Sequence, residues 1–301
     1  MNIRQAHKQF LRECQDGTLK QRADATVEGY TNAFRLLMLR FPMIDTNELT
    51  EGILRQFFRW GETNRNWAPA TTATYRKSLS VFVDWCIKKG HLKQNPLSEI
   101  PYPVIPSRIP EFYSSEEIER ILYTIDQSAY SEFERARNMA IFGVLLMTGL
   151  RRGELIQLKV SDIDLVNGYI RVRSETAKNR KPRAIGITYR LNELLTRYWD
   201  AREKRGIKSY SLWVSSTQDT AFTKDGLKHL LTRISNKVNI KIKANKCRHT
   251  YATEFYRGSQ DIVGLSQTMG HKDISTTMIY AHAVPEHTKQ SLESNPINAL
   301  F

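Results

Sequence analysis

Four short segments of the chain carry residue types that can hold a phosphate. The first, TGLRRGELIQL from Thr148 to Leu158, sets Arg151 just after the turn expected at Gly149 and puts a carboxylate, Glu154, three residues further on. If a helix starts there, this spacing brings Glu154 beside Arg151, where it either orients the guanidinium toward a phosphate or forms a structural ion pair. The second, SETAKNRKPRAIGI, places Lys178 in the connection between two expected strands, with Arg180, Lys181 and Arg183 close behind. Such a basic tip suits a groove of nucleic acid and equally suits a solvated loop. In the third, ANKCRHTYATEFY, Arg248 and His249 open an expected helix, and Arg248 can complete a two-arginine clamp. Taken alone, His249 reads as a packed, hydrogen-bonded histidine and Cys247 as a small core residue. In the fourth, MGHKDISTTMIYAH, His271 follows a glycine turn and Tyr280 lies nine residues downstream, beyond the polar run Ser275-Thr276-Thr277.

These segments need elements to position them. Up to about residue 100 the apolar residues recur at three- and four-residue spacing, as in Tyr30, Phe34, Leu37 and again in Ile53, Leu54, Phe57, Phe58, which predicts four helices. The last runs from about Ala70 and ends at Lys88-Lys89-Gly90, a basic turn with a glycine cap. Five of the ten prolines fall between Asn95 and Pro110, so this stretch is expected to be extended. Beyond it, Ser114-Ser115-Glu116-Glu117 forms a capping box, and an apolar helix passes through Met139, Ile141, Phe142, Val144 and Leu145. Leu165-Val166 and Tyr169–Val172 flank Asn167-Gly168, a hairpin signal, and a third strand is expected around Ala184–Ile187. Helical spacing resumes over 191–202, 223–238 and 247–255. The fold class is therefore mainly α with a small antiparallel β-sheet. Its expected divisions are a helical domain over 1–98, a proline-rich linker over 99–110, and a mixed α/β domain over 111–301 with a C-terminal tail from 283.

Charge names the partner. Forty-five basic residues against 31 acidic ones give +14 and a pI near 9.7, the footprint of a polyanion binder. The excess is +6 before residue 110 and +8 after it, so both parts can face one polyanion. Cys14, Cys86 and Cys247 are odd in number and far apart, which suggests neither a disulfide framework nor a zinc site and fits a reducing compartment. With no apolar leader and no run of about 20 apolar residues, the expected location is the cytoplasm, away from membranes.

Each segment alone is weak, but together and in this order they resemble the tyrosine recombinases, also called phage integrases, which include Xer recombinases and many transposon and phage integrases. The likeness spans nearly the whole chain and rests most on TGLRRGEL and GHKDISTTMIYAH. It implies a helical core-binding domain and a catalytic domain closing as a C-shaped clamp on double-stranded DNA. It also implies that Arg151 and Arg248 bind the scissile phosphate, that Lys178 protonates the leaving 5′ oxygen, that His271 supports the phosphate, and that Tyr280 attacks. Asn245 and His249 are expected at the phosphate with Glu154 orienting Arg151, and Arg76, Lys77, Lys88, Lys89, Arg180 and Lys181 on the DNA backbone.

A phenol with a pKa near 10 is roughly 0.1% ionised at pH 7, so its attack requires positive surroundings or a base. Exchange of one phosphodiester for another conserves bond energy and calls for no ATP, in keeping with the lack of a GxxxxGKS/T loop. No cofactor and no metal site are expected, and the Asp162-Ile163-Asp164 pair reads as a loop entry. One position departs from the family: three residues before the second arginine, where histidine is usual, this chain has Asn245, which can donate a hydrogen bond but not take up a proton. Lys243 or Lys246 could compensate. The resemblance further implies a homotetramer on two DNA sites, joined by exchange of the C-terminal tails, with DNA-bending accessory proteins and a bacterial, archaeal or phage origin; a tail folding back in cis fits the sequence equally well. Two other readings share these features: a DNA-binding regulator on a weakened recombinase scaffold, motivated by Asn245, and a type IB topoisomerase.

Overall fold

The apolar spacing of the first hundred residues resolves into α1 (Ile3–Gln15), α2 (Asp24–Arg40), α3 (Glu51–Asn64) and α4 (Pro69–Lys88). Three of them have a local reason to start where they do: Asn2 and Thr50 cap α1 and α3 with their side chains, and Pro69 pre-sets the first turn of α4. In this computed structural model residues 1–19, 22–106, 109–177, 181–281 and 283–284 are described. Lys178, Arg180 and the tail beyond Val284 lie outside them. The chain divides into two compact units, Met1–Ser107 and Arg108–Phe301.

The first unit closes around Phe10, Phe34, Phe57, Phe82 and Trp85, and the indole of Trp85 donates to Glu13 at 2.9 Å. Leu97 and Ile100 are buried in this same core, so the start of the proline-rich stretch packs onto the helices. Arg76 holds it there. The guanidinium donates to the carbonyls of Leu97 (2.9 Å) and Ile100 (2.6 Å) and lies 3.7 Å from the Tyr102 ring centroid. At 8% exposure Arg76 is turned inward, which corrects its expected place on the DNA backbone. Lys77 and Lys88 are exposed, while Lys89 pairs with Glu13 at 2.9 Å.

The second unit opens with α5 (Ser115–Gln127), whose capping box is formed by Ser114 and Glu117. The apolar α6 (Glu132–Thr148) follows, then the short α7 (Arg152–Ile156). A three-stranded antiparallel sheet comes next: β1 (Ile163–Asp164), β2 (Tyr169–Val172) and β3 (Arg183–Gly186), in the order β1-β2-β3. Ile170 pairs with Ile185 and Asp164 with Tyr169, so Leu165–Gly168 form the turn. Leu165 and Val166 are thus not strand. Asp164 caps the turn by accepting from the backbone and side-chain nitrogens of Asn167, both at 2.8 Å, and shortens β1. The remaining helices are α8 (Tyr189–Lys204), α9 (Lys224–Val238), α10 (Ala244–Ser259), α11 (Ile262–Met269) and α12 (Ser275–Ala281). Trp213, Tyr198, Phe142 and Tyr113 lead the core, and a separate small cluster of Ala252, Leu265, Met269 and Tyr280 joins α10, α11 and α12. Among the described residues no helix is long and apolar enough to cross a membrane.

Candidate active site

Two helices end on glycine, and the carbonyls at those ends organise the site. Gly149 caps α6 at φ +62° and Gly270 caps α11 at φ +63°, left-handed conformations that glycine adopts without cost. A Cβ at Gly149 would stand 2.3 Å from the Tyr251 ring, so the position is closed to side chains for two reasons. The last carbonyls of a helix lack partners within it and carry the negative end of its dipole. Here arginines supply the partners. Arg248, on α10, donates to the Gly149 carbonyl and, at 2.9 Å, to that of Met269. Arg151 donates to Gly270 at 3.1 Å, and Arg183, at the start of β3, donates to Thr268 at 2.7 Å.

Glu154 ties two of these arginines together. It accepts from Arg151 Nη1 at 3.0 Å and from the Arg151 backbone nitrogen, closing the first turn of α7. Arg183 meets the same carboxylate with both terminal nitrogens, at 3.1 and 2.8 Å. Burial alone would raise the Glu154 pKa, but the hydrogen bonds and charges of Arg183 and Arg151 hold it below the usual carboxylate range. Sequence reasoning placed Glu154 beside Arg151 and missed Arg183, which was submerged in a basic run.

Arg248 is 6% exposed, and burial together with the Arg151 charge lowers its pKa to about 10, so it stays protonated at neutral pH. Its Nη2 lies 3.0 Å from His271 Nε2, and His271 Nδ1 lies 2.8 Å from Thr277 Oγ1. A guanidinium can only donate, so Nε2 accepts and Nδ1 carries the proton toward Thr277. Burial, Arg248 and Arg151 push the His271 pKa down to about 4, which agrees with a neutral ring.

Tyr280, on α12, is 2% exposed. Its Oη lies 2.8 Å from His249 Nδ1. Burial raises the phenol pKa more than Arg248 and Arg151 lower it, so it is protonated here and donates to the imidazole. Burial and the Arg248 charge lower the His249 pKa, leaving that ring neutral and able to accept. His249 is thus packed and hydrogen-bonded, as its residue type alone suggests, but its partner lies 31 residues along the chain, a relation no local pattern reveals.

Asn245 is exposed at the start of α10, in a cleft lined by Arg152, Lys228 and Lys243. Lys246 lies 3.8 Å from Glu117 and 4.1 Å from the Tyr113 ring centroid, while Lys243 lines the same cleft as Asn245. Lys181 lines a groove with Arg183 and His271. Of the two aspartates considered for metal, Asp162 accepts from Arg173 at 3.0 Å and Asp164 caps its turn.

A model of the phage integrase family matches residues 111–287. Among curated relatives, a tyrosine recombinase XerC of Chlorobaculum tepidum is 28% identical over 235 residues, covering 71% of this chain and 69% of its own. A tyrosine recombinase of Thermosipho africanus is 27% identical over 230 residues, covering 75% of each. The fold is similar to that of the Tn1549 transposon integrase bound to a circular intermediate DNA, with a TM-score of 0.74 at 18% identity over 93% of this chain and 95% of that one. It is also similar to a lambda integrase dimer bound to a core site, with a TM-score of 0.72 at 17% identity over 93% and 95%.

Proposed function

The chain belongs to the phage integrase family, and from that premise we propose that it is a site-specific DNA recombinase that cleaves and rejoins duplex DNA through a 3′-phosphotyrosine at Tyr280. The observation that carries this reading is the convergence of Arg151, Arg248, His271 and Tyr280, separated by up to 129 residues of sequence, on the carbonyl ends of α6 and α11. Arg151, whose side chain is 23% exposed, is the first to meet a non-bridging phosphate oxygen. An incoming oxygen then competes with His271 Nε2 for the Nη2 hydrogens of Arg248.

Attack by Tyr280 forms the phosphotyrosine bond while the bond to O5′ breaks. Lys178, outside the described residues, is assigned the proton for that oxygen by the family pattern. Charge builds on the phosphorus oxygens as five bonds form, and two preorganised guanidinium groups stabilise it there; removing one such donor costs on the order of 10²- to 10³-fold in rate. Tyr280 is buried at rest, so DNA binding is expected to open a path to its hydroxyl while the contact with His249 is kept. Exposed Lys77 and Lys88, and the basic segment around Arg180 and Lys181, contribute phosphate contacts and make binding strongly salt-dependent. Assembly is taken to be a tetramer on two sites, with tails exchanged between copies and bending proteins assisting.

The test is covalent capture. Purified protein is incubated with nicked duplexes carrying the DNA that flanks its own gene and run on a denaturing gel. A slow band in the wild type that is absent from Tyr280→Phe supports the reading. Tight binding without any adduct would instead favour the regulator, for which Asn245 is the motive.

A further inference from the structure

The reaction requires the Tyr280 phenol to lose its proton, and the family's usual imidazole at position 245 is absent. We propose that His249 is a catalytic residue of this chain, the proton acceptor for the Tyr280 hydroxyl during cleavage and its donor during rejoining. The inference rests on the recombinase reading above and assigns one proton within it.

Three observations converge. His249 Nδ1 is 2.8 Å from Oη, the atom that would attack phosphorus. The rings are tilted at 44° with centroids 5.9 Å apart, so the contact is made through the ring edge, as a hydrogen bond requires, and not by stacking. The phenol packs in a small cluster with buried Ala252, Leu265 and Met269, and the described hydrogen-bond partner of its hydroxyl is His249. The charged and titratable groups around the imidazole are Arg248 on its own helix, His271 and Tyr280 from the α11–α12 side, and Arg151, Arg183 and Glu154 beyond Arg248. Burial and the Arg248 charge keep the ring neutral at rest, and the negative charge that grows on phosphorus in the transition state favours its protonation.

The step balances. The electron pair of the Tyr280 O–H bond becomes the new O–P bond, and the proton passes to Nδ1. The P–O5′ bond breaks with its pair on O5′, which takes a proton from Lys178. In rejoining, the 5′ hydroxyl returns its proton to Lys178 and His249 returns its own to the phenolate.

The experiment measures single-turnover adduct formation on the nicked duplex for wild type, His249→Ala, His249→Gln and Lys178→Ala, each verified to bind that duplex as wild type does. It is repeated with a duplex whose scissile O5′ is sulfur, a leaving atom that needs no proton. Both His249 variants are expected to fall about 10²-fold at pH 7. Their deficit should shrink as pH approaches that of phenol ionisation, and sulfur should rescue Lys178→Ala but neither of them. Adduct formation by His249→Ala at or above the wild-type rate overturns the proposal and makes the bond a resting latch. Full activity in His249→Gln overturns it in favour of positioning, since an amide can hold the hydroxyl but not take its proton. Rescue of the His249 variants by sulfur also overturns it. A wild type that forms no adduct counts against recombination itself, and the inference falls with that reading.

Discussion

Arg183 lays its guanidinium edge-on against Glu154, Nη1 at 3.1 Å from one carboxylate oxygen and Nη2 at 2.8 Å from the other, with 10% and 1% of the two side chains exposed. This pair sets the frame in which Arg151 is presented, because the same carboxylate orients both arginines. Breaking a buried, hydrogen-bonded charge pair by removing one partner costs about 3 to 5 kcal/mol. Glu154→Gln should therefore lower unfolding stability by about 3 kcal/mol in a denaturant titration and slow adduct formation even where the protein remains folded. A loss below about 1 kcal/mol would mean that Arg183 and Arg151 find other partners.

Gly149→Ala tests the turn between α6 and α7. The substitution forces a Cβ into a left-handed residue and against the Tyr251 ring. The conformational part alone costs about 1 kcal/mol, and the clash adds to it. Because Arg248 is anchored on the Gly149 carbonyl, the variant should lose adduct formation more than it loses stability, by at least tenfold in single-turnover rate. Equal activity with reduced stability would disconnect the turn from the chemistry.

Arg76 and Lys77 are neighbours with opposite expected roles. Arg76→Ala strands two buried carbonyls and should cost about 2 kcal/mol while leaving the salt dependence of DNA binding unchanged. Lys77→Ala should leave stability alone and reduce the slope of log affinity against log salt by about one. Titrations at several salt concentrations, together with melting curves, separate the two. A slope change for Arg76→Ala would restore it as a DNA contact.

His7 gives the first unit an acid limit. It stacks on Phe34 with centroids 3.6 Å apart, its Nε2 is buried without a partner, and burial lowers its pKa to about 4, opposed in part by a hydrogen bond at the Tyr30 backbone. The unfolded chain, with an ordinary pKa near 6.5, binds this proton first, so the folded form is fully favoured above pH 6.5 and loses that advantage as pH falls toward 4. The loss approaches about 3 kcal/mol. In His7→Gln, the fall in stability across that window should be smaller than in wild type by the His7 share, with His271 and His249 still contributing; an unchanged pH dependence would place the sensitive group elsewhere.

How much of this was legible beforehand depended on the range of the signal. Helices α4 and α6 declare themselves because capping, proline and apolar spacing act within a few residues. The inward turn of Arg76 is also legible, since it shares a helical face with Thr72, Leu79 and Val83, but its positive charge points equally to a DNA contact. Leu165 and Val166 looked like strand because β-branched and apolar residues flank Asn167-Gly168, and only the Asp164 cap shows why the turn is longer. The roles of Arg183 and His249 could not be read, because each is defined by a partner that the chain brings back from 29 and 31 residues away.

The carbonyl ends of α6 and α11 gather three guanidinium groups against one carboxylate, which leaves two positive charges unmatched in a half-buried space. Arg151 and Arg183 already weaken the hold of Arg248 on its proton. On the recombinase reading, a dianionic five-coordinate phosphorus cancels that excess; in the resting fold Glu154 and the carbonyl ends of two helices hold it in place, so the protein keeps ready the charge its transition state will need.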